Sequence, residues 1–217
     1  AGVGDFKITV KGKPSHGSQP WLAVDPIPVA AQIVTALQTI VSRNVNLTEN
    51  AAVVTVGAIH GGNRHNIISE QVELIGNVRA FTEADEQLIY RRVREISEKI
   101  AESAGATALV ELPFSVKYPV TFNNVSLTER MLPSLKKAAG AEKVKLIPAK
   151  TGSEDFSFFA EKVPGLFFFL GGMPKGQDPK TAGPHHTPEF MLDDSSFKLG
   201  VVAFCQLVFD YGKLQKM

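Results

Sequence analysis

Residues 5–13 read DFKITVKGK and carry the pattern from which the fold can be worked out. The apolar residues Phe6, Ile8 and Val10 alternate with polar ones, and this period of two predicts a half-buried antiparallel strand. The next segment, residues 13–20, contains two prolines and a glycine and is expected to end the strand. These residues are therefore predicted to form a strand that ends at the proline-containing segment.

Five further elements follow this strand in an order that is typical of one fold. Apolar residues recur at helical spacing over residues 26–43, with Asp25 as the N-cap, and a charged amphipathic helix is predicted over residues 83–104. Strands are predicted over residues 51–59, 72–81 and 107–114. The order strand, helix, strand, strand, helix, strand is the split βαβ pattern of the ferredoxin-like sandwich. We therefore predict an α/β protein whose first domain covers residues 5–116.

The remainder, residues 117–217, is predicted to form part of a second α/β domain. Helices are expected over residues 125–139 and 195–211, and a short strand over 144–147. The apolar run at residues 166–170 is bounded by glycine and proline, which is typical of a strand covered on both faces. The few strands predicted in this part of the chain cannot cover both faces of this run. We therefore expect either that partner strands are absent or that a large apolar surface is exposed. The chain is accordingly expected to be the C-terminal part of a larger protein.

The charge balance narrows the range of partners. The sequence has 23 basic and 22 acidic residues and a net charge of +1, so neither nucleic acid nor a membrane surface is an expected partner. Its single cysteine, Cys205, excludes an internal disulfide framework. No basic segment followed by an apolar one opens the sequence. The cytoplasm is therefore the default compartment, and an export signal upstream of Ala1 stays open.

Two adjacent histidines in a proline-bracketed loop are the first candidates for chemistry. Residues 183–194 read GPHHTPEFMLDD, and a histidine held in a rigid loop has the fixed ring orientation that a metal ligand needs. Asp193 and Asp194 follow closely enough to supply carboxylates or to cap a helix. The alternative is that His185 and His186 are ordinary surface residues, and this segment alone leaves both interpretations open.

Five stretches, in order, give the chain a specific resemblance. It resembles the amidohydrolase branch of the aminoacylase and carboxypeptidase family of dinuclear zinc exopeptidases, the branch that includes hippurate hydrolases and auxin-conjugate hydrolases. The matching stretches are Gly12-Lys13-Pro14-Ser15-His16 with Pro20, Gly61-Gly62 with Asn66-Ile67-Ile68, Gly76-Asn77-Val78-Arg79, Ser153-Glu154-Asp155-Phe156, and His186-Thr187-Pro188-Glu189-Phe190.

The resemblance implies both an architecture and an activity. Residues 5–116 would be a ferredoxin-like lid that also makes a homodimer, and residues 117–217 the C-terminal half of an α/β catalytic domain. The family activity is hydrolysis of the amide bond of N-acyl amino acids or small peptides by water activated at two divalent metals. Zinc is the first choice of metal, with manganese, cobalt or nickel as alternatives. The N-terminal half, with most metal ligands and the general-base glutamate, would be absent, so this chain alone is expected to be inactive.

The resemblance also assigns roles to individual residues. His186 corresponds to the last metal ligand. His16 corresponds to the lid histidine, which donates to the developing oxyanion and in dimers comes from the other subunit. Asn66 and Arg79 would hold the substrate carboxylate, and Gly62 would lie in a loop close to substrate.

Each of these assignments has a plainer alternative. His16 could be a turn histidine, Arg79 a surface residue, and the Gly61-Gly62 pair an ordinary turn. Glu154 and Asp155 are candidates to lie beside the active site, although helix capping alone would explain them.

Two other classes of protein compete with the hydrolase. In the first, the chain is a non-catalytic dimerisation or small-molecule regulatory module. In the second, the ferredoxin-like domain binds RNA, but this requires exposed aromatic residues on the sheet and a basic surface. The strand at residues 72–78 contains no aromatic residue, which argues against RNA.

Overall fold

The computed structural model describes residues 1–214, which fall into two compact units. The first unit comprises Ala1–Thr121 with Ala149–Phe159, and the second comprises Phe122–Pro148 with the residues from Ala160 onward. The domain boundary predicted after residue 116 stays a prediction. Among the described residues, no helix is both long enough and apolar enough to cross a lipid bilayer.

An antiparallel sheet forms the centre of the first unit. Its strands are β1 (Gly2–Lys11), β3 (Ala52–Gly61), β5 (Gln71–Ala80) and β6 (Thr107–Glu111), in the order β3-β5-β1-β6. The central pair β1 and β5 is in register from Gly2 opposite Ala80 to Lys11 opposite Gln71. This order is the one expected of a ferredoxin-like sandwich, and the predicted fold class is confirmed.

Two helices cover one face of this sheet. Helix α1 (Pro26–Asn44) begins as predicted at Asp25, whose carboxylate accepts a hydrogen bond of 3.0 Å from the backbone N–H of Ile27. Helix α2 (Glu83–Ser103) is capped by the hydroxyl of Thr82. The alternating residues of the strands and the apolar stripes of both helices meet in a core from which water is excluded. Its most deeply buried large side chains include Phe6, Ile8, Ile33, Leu37, Leu74 and Ile89.

The last strand of the sheet is shorter than the sequence pattern suggests. It was predicted to extend to residue 114, but β6 ends at Glu111. The carboxylate of Asp5 accepts hydrogen bonds from the backbone N–H groups of Phe114 (3.2 Å), Ser115 (2.8 Å) and Val116 (2.8 Å). The N–H of Phe114 also donates to the backbone carbonyl of Asp5 (3.0 Å), and the N–H of Asp5 donates to the carbonyl of Val116 (3.1 Å). The Asp5 side chain and backbone therefore hold residues 114–116 together, in an irregular segment that does not continue β6.

Three short strands complete the first unit. β2 (Ser15–His16) pairs with β4 (Ile67–Ile68) in a separate two-stranded sheet, and β7 (Lys117–Tyr118) pairs with the start of β1. The first unit also includes the segment Ala149–Phe159, and helix α4 (Phe156–Ala160) begins near the end of that segment. The β2 and β4 pair contains His16, one of the predicted site residues.

The second unit is built on helices, and two predicted strands are wrong. Helix α3 (Val125–Ala139) has the predicted bounds, and helix α5 (Phe197–Leu214) follows a short 3-10 turn at Asp194–Ser196. Residues 144–147 and 166–170 were predicted as strands but are not part of any sheet among residues 1–214.

The apolar run shows why a strand-like sequence need not form a strand. The side-chain amide of Asn123 donates to the carbonyl of Phe167 (2.8 Å) and accepts from its N–H (2.7 Å), so one side chain replaces a partner strand. Phe169 is 59% exposed, and on α5 Phe204 and Val208 are 62% and 70% exposed. The described residues thus show a large exposed apolar surface, and the expectation that partner strands are absent stays a prediction.

Candidate functional site

His16 lies in a tight turn at the end of β2. The carbonyl of His16 accepts a hydrogen bond from the N–H of Gln19 (2.9 Å), which closes a four-residue turn. Its Nδ1 atom lies 2.7 Å from the hydroxyl oxygen of Ser18 and accepts from the backbone N–H of Ser18 at 3.2 Å. The ring is exposed, and these local bonds hold it to its own turn.

Asn66 is brought directly against this turn. His16 pairs with Ile67 across the β2 and β4 sheet, and the N–H of Gly17 donates to the carbonyl of Asn66 at 2.8 Å. A Cβ atom at position 17 would lie 3.1 Å from the Asn66 backbone, a tight contact that glycine avoids. Two of the predicted site residues, His16 and Asn66, are therefore neighbours.

The glycine pair lies at the same end of the sheet. Gly61 is the last residue of β3 and stands opposite Val72, the second residue of β5. Gly62 has a φ of +77°, a conformation that other residues rarely adopt. The structure thus places Gly62 in a left-handed turn, which leads into the loop that ends at Asn66.

Arg79 lies near the opposite end of the central strands. Its Nη1 atom donates to the carbonyl of Thr151 at 3.0 Å and lies 3.5 Å from the hydroxyl oxygen of Ser153. The guanidinium is therefore held on the loop that precedes Glu154 and is not isolated on the solvent face of the sheet. This contact was not predicted from the sequence, because residues 79 and 153 are far apart along the chain.

Glu154 and Asp155 begin helix α4 through their backbones. The carbonyl of Glu154 accepts from the N–H of Ser157 (3.2 Å) and from its hydroxyl (2.7 Å), and the carbonyl of Asp155 accepts from the N–H of Phe158 (3.0 Å). These two residues, predicted to lie beside the active site, thus directly follow the segment that Arg79 contacts.

The predicted site residues of the first unit form two groups. One group, the histidine end, contains His16, Asn66 and Gly62. The other, the arginine end, contains Arg79 and the segment from Thr151 to Asp155. Arg79 stands opposite Val3 of β1, and the histidine end follows Lys11 of the same strand. Eight residues of strand at roughly 3.3 Å each separate these positions by about 26 Å, so the two ends do not meet within one chain.

The histidine pair of the second unit has one unusual backbone angle. His186 is exposed and has a φ of +66°, a left-handed conformation that is uncommon outside glycine and is often found at functional sites. The Thr187 hydroxyl donates to the carbonyl of Pro184 at 2.9 Å and closes the loop. The ring of His185 packs against Phe190 with centroids 4.6 Å apart. The two adjacent histidines are therefore in different environments, and His186 is the one whose backbone is constrained.

The two aspartates after this loop have a structural explanation. Asp193 accepts a hydrogen bond of 2.9 Å from the N–H of Ser195 and caps the turn that begins α5. Hydrogen bonds from the side chain and the backbone of Ser195 hold the pKa of Asp193 below its usual range. Of the two alternatives, metal carboxylate or helix cap, the structure shows the cap for Asp193.

Metal-binding side chains are not gathered together within either unit. Across residues 1–214 there is no group of three or more histidine, cysteine, aspartate or glutamate side chains placed to hold a metal ion. His186 is an exposed imidazole on a fixed loop, which suits a ligand, but the described residues do not complete a ligand set around it.

Comparisons with known proteins agree with this arrangement. Residues 1–105 match the family described as the peptidase dimerisation domain. A solved structure of the M20 family, a dinuclear metal-binding peptidase from Bacillus subtilis, is 27% identical with a TM-score of 0.64 and covers 94% of this chain and 48% of its own. The chain is similar to the M20 peptidase family over nearly all of its length.

Two curated relatives are more similar to this chain in sequence. An N-acetyldiaminopimelate deacetylase from Streptococcus suis is 40% identical over 171 residues, which is 79% of this chain and 45% of that protein. A thermostable carboxypeptidase 2 from Saccharolobus solfataricus is 32% identical over 95% of this chain and 51% of its own.

A solved structure assigned to an aminohydrolase from methicillin-resistant Staphylococcus aureus is 32% identical with a TM-score of 0.83, over 97% of this chain and 52% of the other. The chain spans about half the length of the M20 relatives that it matches.

Proposed function

We propose that the protein containing this chain hydrolyses the amide bond of N-acyl amino acids or small peptides with the help of divalent metal ions. The observation that carries the proposal is the sequence similarity of this chain to two M20 relatives whose names state their reactions. One is named as a deacetylase of an N-acetylated amino acid and the other as a carboxypeptidase. Both reactions break an amide bond in a substrate that has a free carboxylate, and they differ in the acyl group. We infer that this chain serves the same class of substrate.

His16 is the proposed donor to the oxyanion that forms when water attacks the amide carbonyl. A neutral side-chain donor aimed at such an oxyanion stabilises the transition state by about 3–4 kcal/mol in a site from which water is excluded. Its ring is exposed and is held by its turn, so it is available to a substrate. Gly62 supports the proposed role of His16, because the left-handed turn at Gly62 leads into the loop that ends at Asn66. The backbone of Asn66 contacts Gly17, the residue next to His16.

Arg79 and Asn66 are the proposed contacts of the substrate carboxylate. A guanidinium binds a carboxylate through two parallel N–H bonds, and an amide adds a further donor. Arg79 uses Nη1 for the loop at Thr151, which fixes the direction of the guanidinium. Glu154 and Asp155 follow that loop, and we propose that they lie beside the reacting centre without contacting the substrate carboxylate.

His186 is proposed as one ligand of a pair of divalent metals, with zinc preferred over manganese, cobalt or nickel. When bound, such metals supply a water molecule that is nucleophilic at neutral pH. The remaining ligands would come from outside the residues described. We also propose that residues 5–116 are the lid and that residues 117–217 belong to the catalytic domain.

The separation of the two ends of the sheet supports a homodimer. Because the histidine end and the arginine end are about 26 Å apart by strand length, one small substrate cannot contact both ends of a single chain. A two-fold pair of chains can bring His16 and Asn66 of one copy to Arg79 of the other. The family name of residues 1–105, a peptidase dimerisation domain, supports this assembly.

Strand β3 is the proposed edge for dimer formation. It is the longer of the two outer strands, with ten residues against five in β6, and its outer backbone groups have no partner strand among residues 1–214. An edge of this kind readily pairs with a second copy. Two exposed residues allow a matched test, because Ile59 of β3 and Leu109 of β6 are each 56% exposed.

Replacing Ile59 with glutamate is expected to raise the dimer dissociation constant at least about 100-fold. In a two-fold interface each of the two copies would bury one uncompensated glutamate charge. Replacing Leu109 with glutamate should leave the dissociation constant within about threefold of the wild-type value, as for most surface changes. Sedimentation equilibrium of both variants and the wild type provides the measurement. Equal weakening by the two substitutions would argue against β3 as the interface.

A substrate assay tests the function as a whole. The native gene product, isolated from its source, is assayed for amine release from a panel of N-acyl amino acids and dipeptides, and its metal content is measured on the same sample. Hydrolysis together with about two metal ions per chain, as in two-metal hydrolases, supports the proposal. No hydrolysis of any substrate and no bound metal would favour the alternative, a non-catalytic dimerisation or small-molecule regulatory module.

A further inference from the structure

Ser18 lies in the histidine turn but has no role in the function proposed above. It occupies the third position of the turn that runs from His16 to Gln19, and both of its donors face the His16 ring. Its hydroxyl oxygen is 2.7 Å from Nδ1 and its backbone nitrogen 3.2 Å from the same atom. Two groups of one residue therefore converge on a single nitrogen of the imidazole.

The backbone contact decides which nitrogen of the ring carries the proton. A backbone N–H can only donate, so Nδ1 must present its lone pair to Ser18. A neutral imidazole has one lone pair and one N–H, which places the hydrogen on Nε2. With its lone pair directed at Ser18, Nδ1 also accepts from the hydroxyl. The opposite tautomer would direct an N–H of the ring at the N–H of Ser18 and lose that bond.

The other side of the ring is available to a ligand. Among residues 1–214, the hydrogen bonds of the His16 ring are those to Ser18, and all of them involve Nδ1. Nε2 points away from this pair across the five-membered ring. A neutral His16 in this tautomer therefore offers an N–H donor to solvent or substrate, which is the form that an oxyanion requires.

We propose that Ser18 is a positioning residue that holds neutral His16 as the Nε2–H tautomer and so presents a hydrogen-bond donor to the oxyanion. The tautomer follows from the local geometry alone. The catalytic consequence rests on the proposed amide hydrolysis, and the two parts are tested separately.

The tautomer is measured by nitrogen-15 NMR of the imidazoles in this chain, in alkaline buffer where histidine is neutral. A ring nitrogen with a lone pair and one with a hydrogen have well-separated shifts. The His16→Gln variant, which deletes one set of signals, gives the assignment. We expect Nδ1 of His16 to be the nitrogen without hydrogen. If the Nδ1–H form dominates the wild-type spectrum, the proposal is overturned, and no variant of Ser18 is needed to show this.

Ser18→Ala removes the hydroxyl and keeps the backbone N–H. It is expected to shift the ratio of tautomers about two- to tenfold toward Nδ1–H, the range for one net hydrogen bond. Ser15→Ala is the matched control, because the neighbouring Ser15 hydroxyl donates to the carbonyls of His16 and Gln19 and not to the ring. Ser18→Thr keeps a hydroxyl and should restore the wild-type ratio. Identical spectra for Ser18→Ala and Ser15→Ala overturn the proposal.

The catalytic consequence is measured in the native gene product with an N-acyl amino acid. Ser18→Ala should lower kcat in proportion to the fraction of His16 that stays in the Nε2–H form, with about tenfold as the upper limit, and leave KM unchanged. An unchanged kcat with a shifted tautomer overturns the catalytic part of the inference. An inactive wild-type protein with the expected spectrum overturns the proposed hydrolysis and leaves the assignment of Ser18 in place.

Discussion

Replacement of His16 with alanine is expected to lower kcat about 100- to 1000-fold in the native gene product, which corresponds to the loss of one oxyanion donor. The reason is that the Nε2–H of His16 has no partner among residues 1–214 and is available when the negative charge develops. KM should change little, because the donor contacts the transition state more strongly than the substrate. Steady-state kinetics with an N-acyl amino acid measures both parameters.

The same substitution should not affect folding. His16 is exposed, and its ring bonds only to its own turn, so the free energy of unfolding should change by less than about 0.5 kcal/mol. Lys99→Ala is the control, since Lys99 is an exposed residue of helix α2 in the first unit and has no assigned role. Wild-type kcat in His16→Ala, or an equal loss in Lys99→Ala, would contradict the oxyanion role.

Much of the first unit could be predicted from the sequence because its elements obey local rules. Phe6, Ile8 and Val10 alternate with polar residues, and all three are fully buried in the structure. Asp25 caps α1 because an aspartate before a proline is a strong start signal. The strand order needs no further information, since a split βαβ pattern allows few arrangements. Agreement between local propensity and tertiary packing explains this success.

The second unit shows where such rules stop working. The run at residues 166–170 has the composition of a buried strand, but a strand also needs a partner backbone. Within the described residues, the side-chain amide of Asn123 takes that place at Phe167. Periodicity reports what a segment can bury and contains no information about whether a neighbouring segment is present. The same limit explains the missing strand at residues 144–147.

The residues of the candidate site were proposed from sequence motifs and stay predictions, and their arrangement could not be proposed in this way. His16, Asn66 and Arg79 were found through the motifs that contain them, yet their separation into two ends follows from the register of β1 and β5. Ser18 was missed because its importance lies in two hydrogen bonds to Nδ1. A serine two residues after a turn histidine is the signal that could have revealed it, since side chains in turns often accept from the N–H two residues on.

Arg79→Ala is expected to lower kcat/KM for an N-acyl amino acid about 30- to 5000-fold, because removal of one partner from a desolvated charge pair costs roughly 2–5 kcal/mol. Arg79 has a second function in the structure, since its Nη1 donates to the carbonyl of Thr151. The loss in activity could therefore come from the substrate carboxylate or from the loop. Kinetics with one substrate cannot distinguish these two causes.

A second substrate separates them. The carboxamide analogue of the same N-acyl amino acid has no carboxylate, so Arg79→Ala should lower its kcat/KM only by the part that is due to the loop. The difference between the two substrates measures the interaction of Arg79 with the carboxylate, as in a double-mutant cycle. Ser153→Ala removes the weaker 3.5 Å contact of the same guanidinium and should affect both substrates equally. If Arg79→Ala also lowered kcat/KM by the same factor for both substrates, Arg79 would be an anchor of the loop, and the carboxylate would have to bind elsewhere.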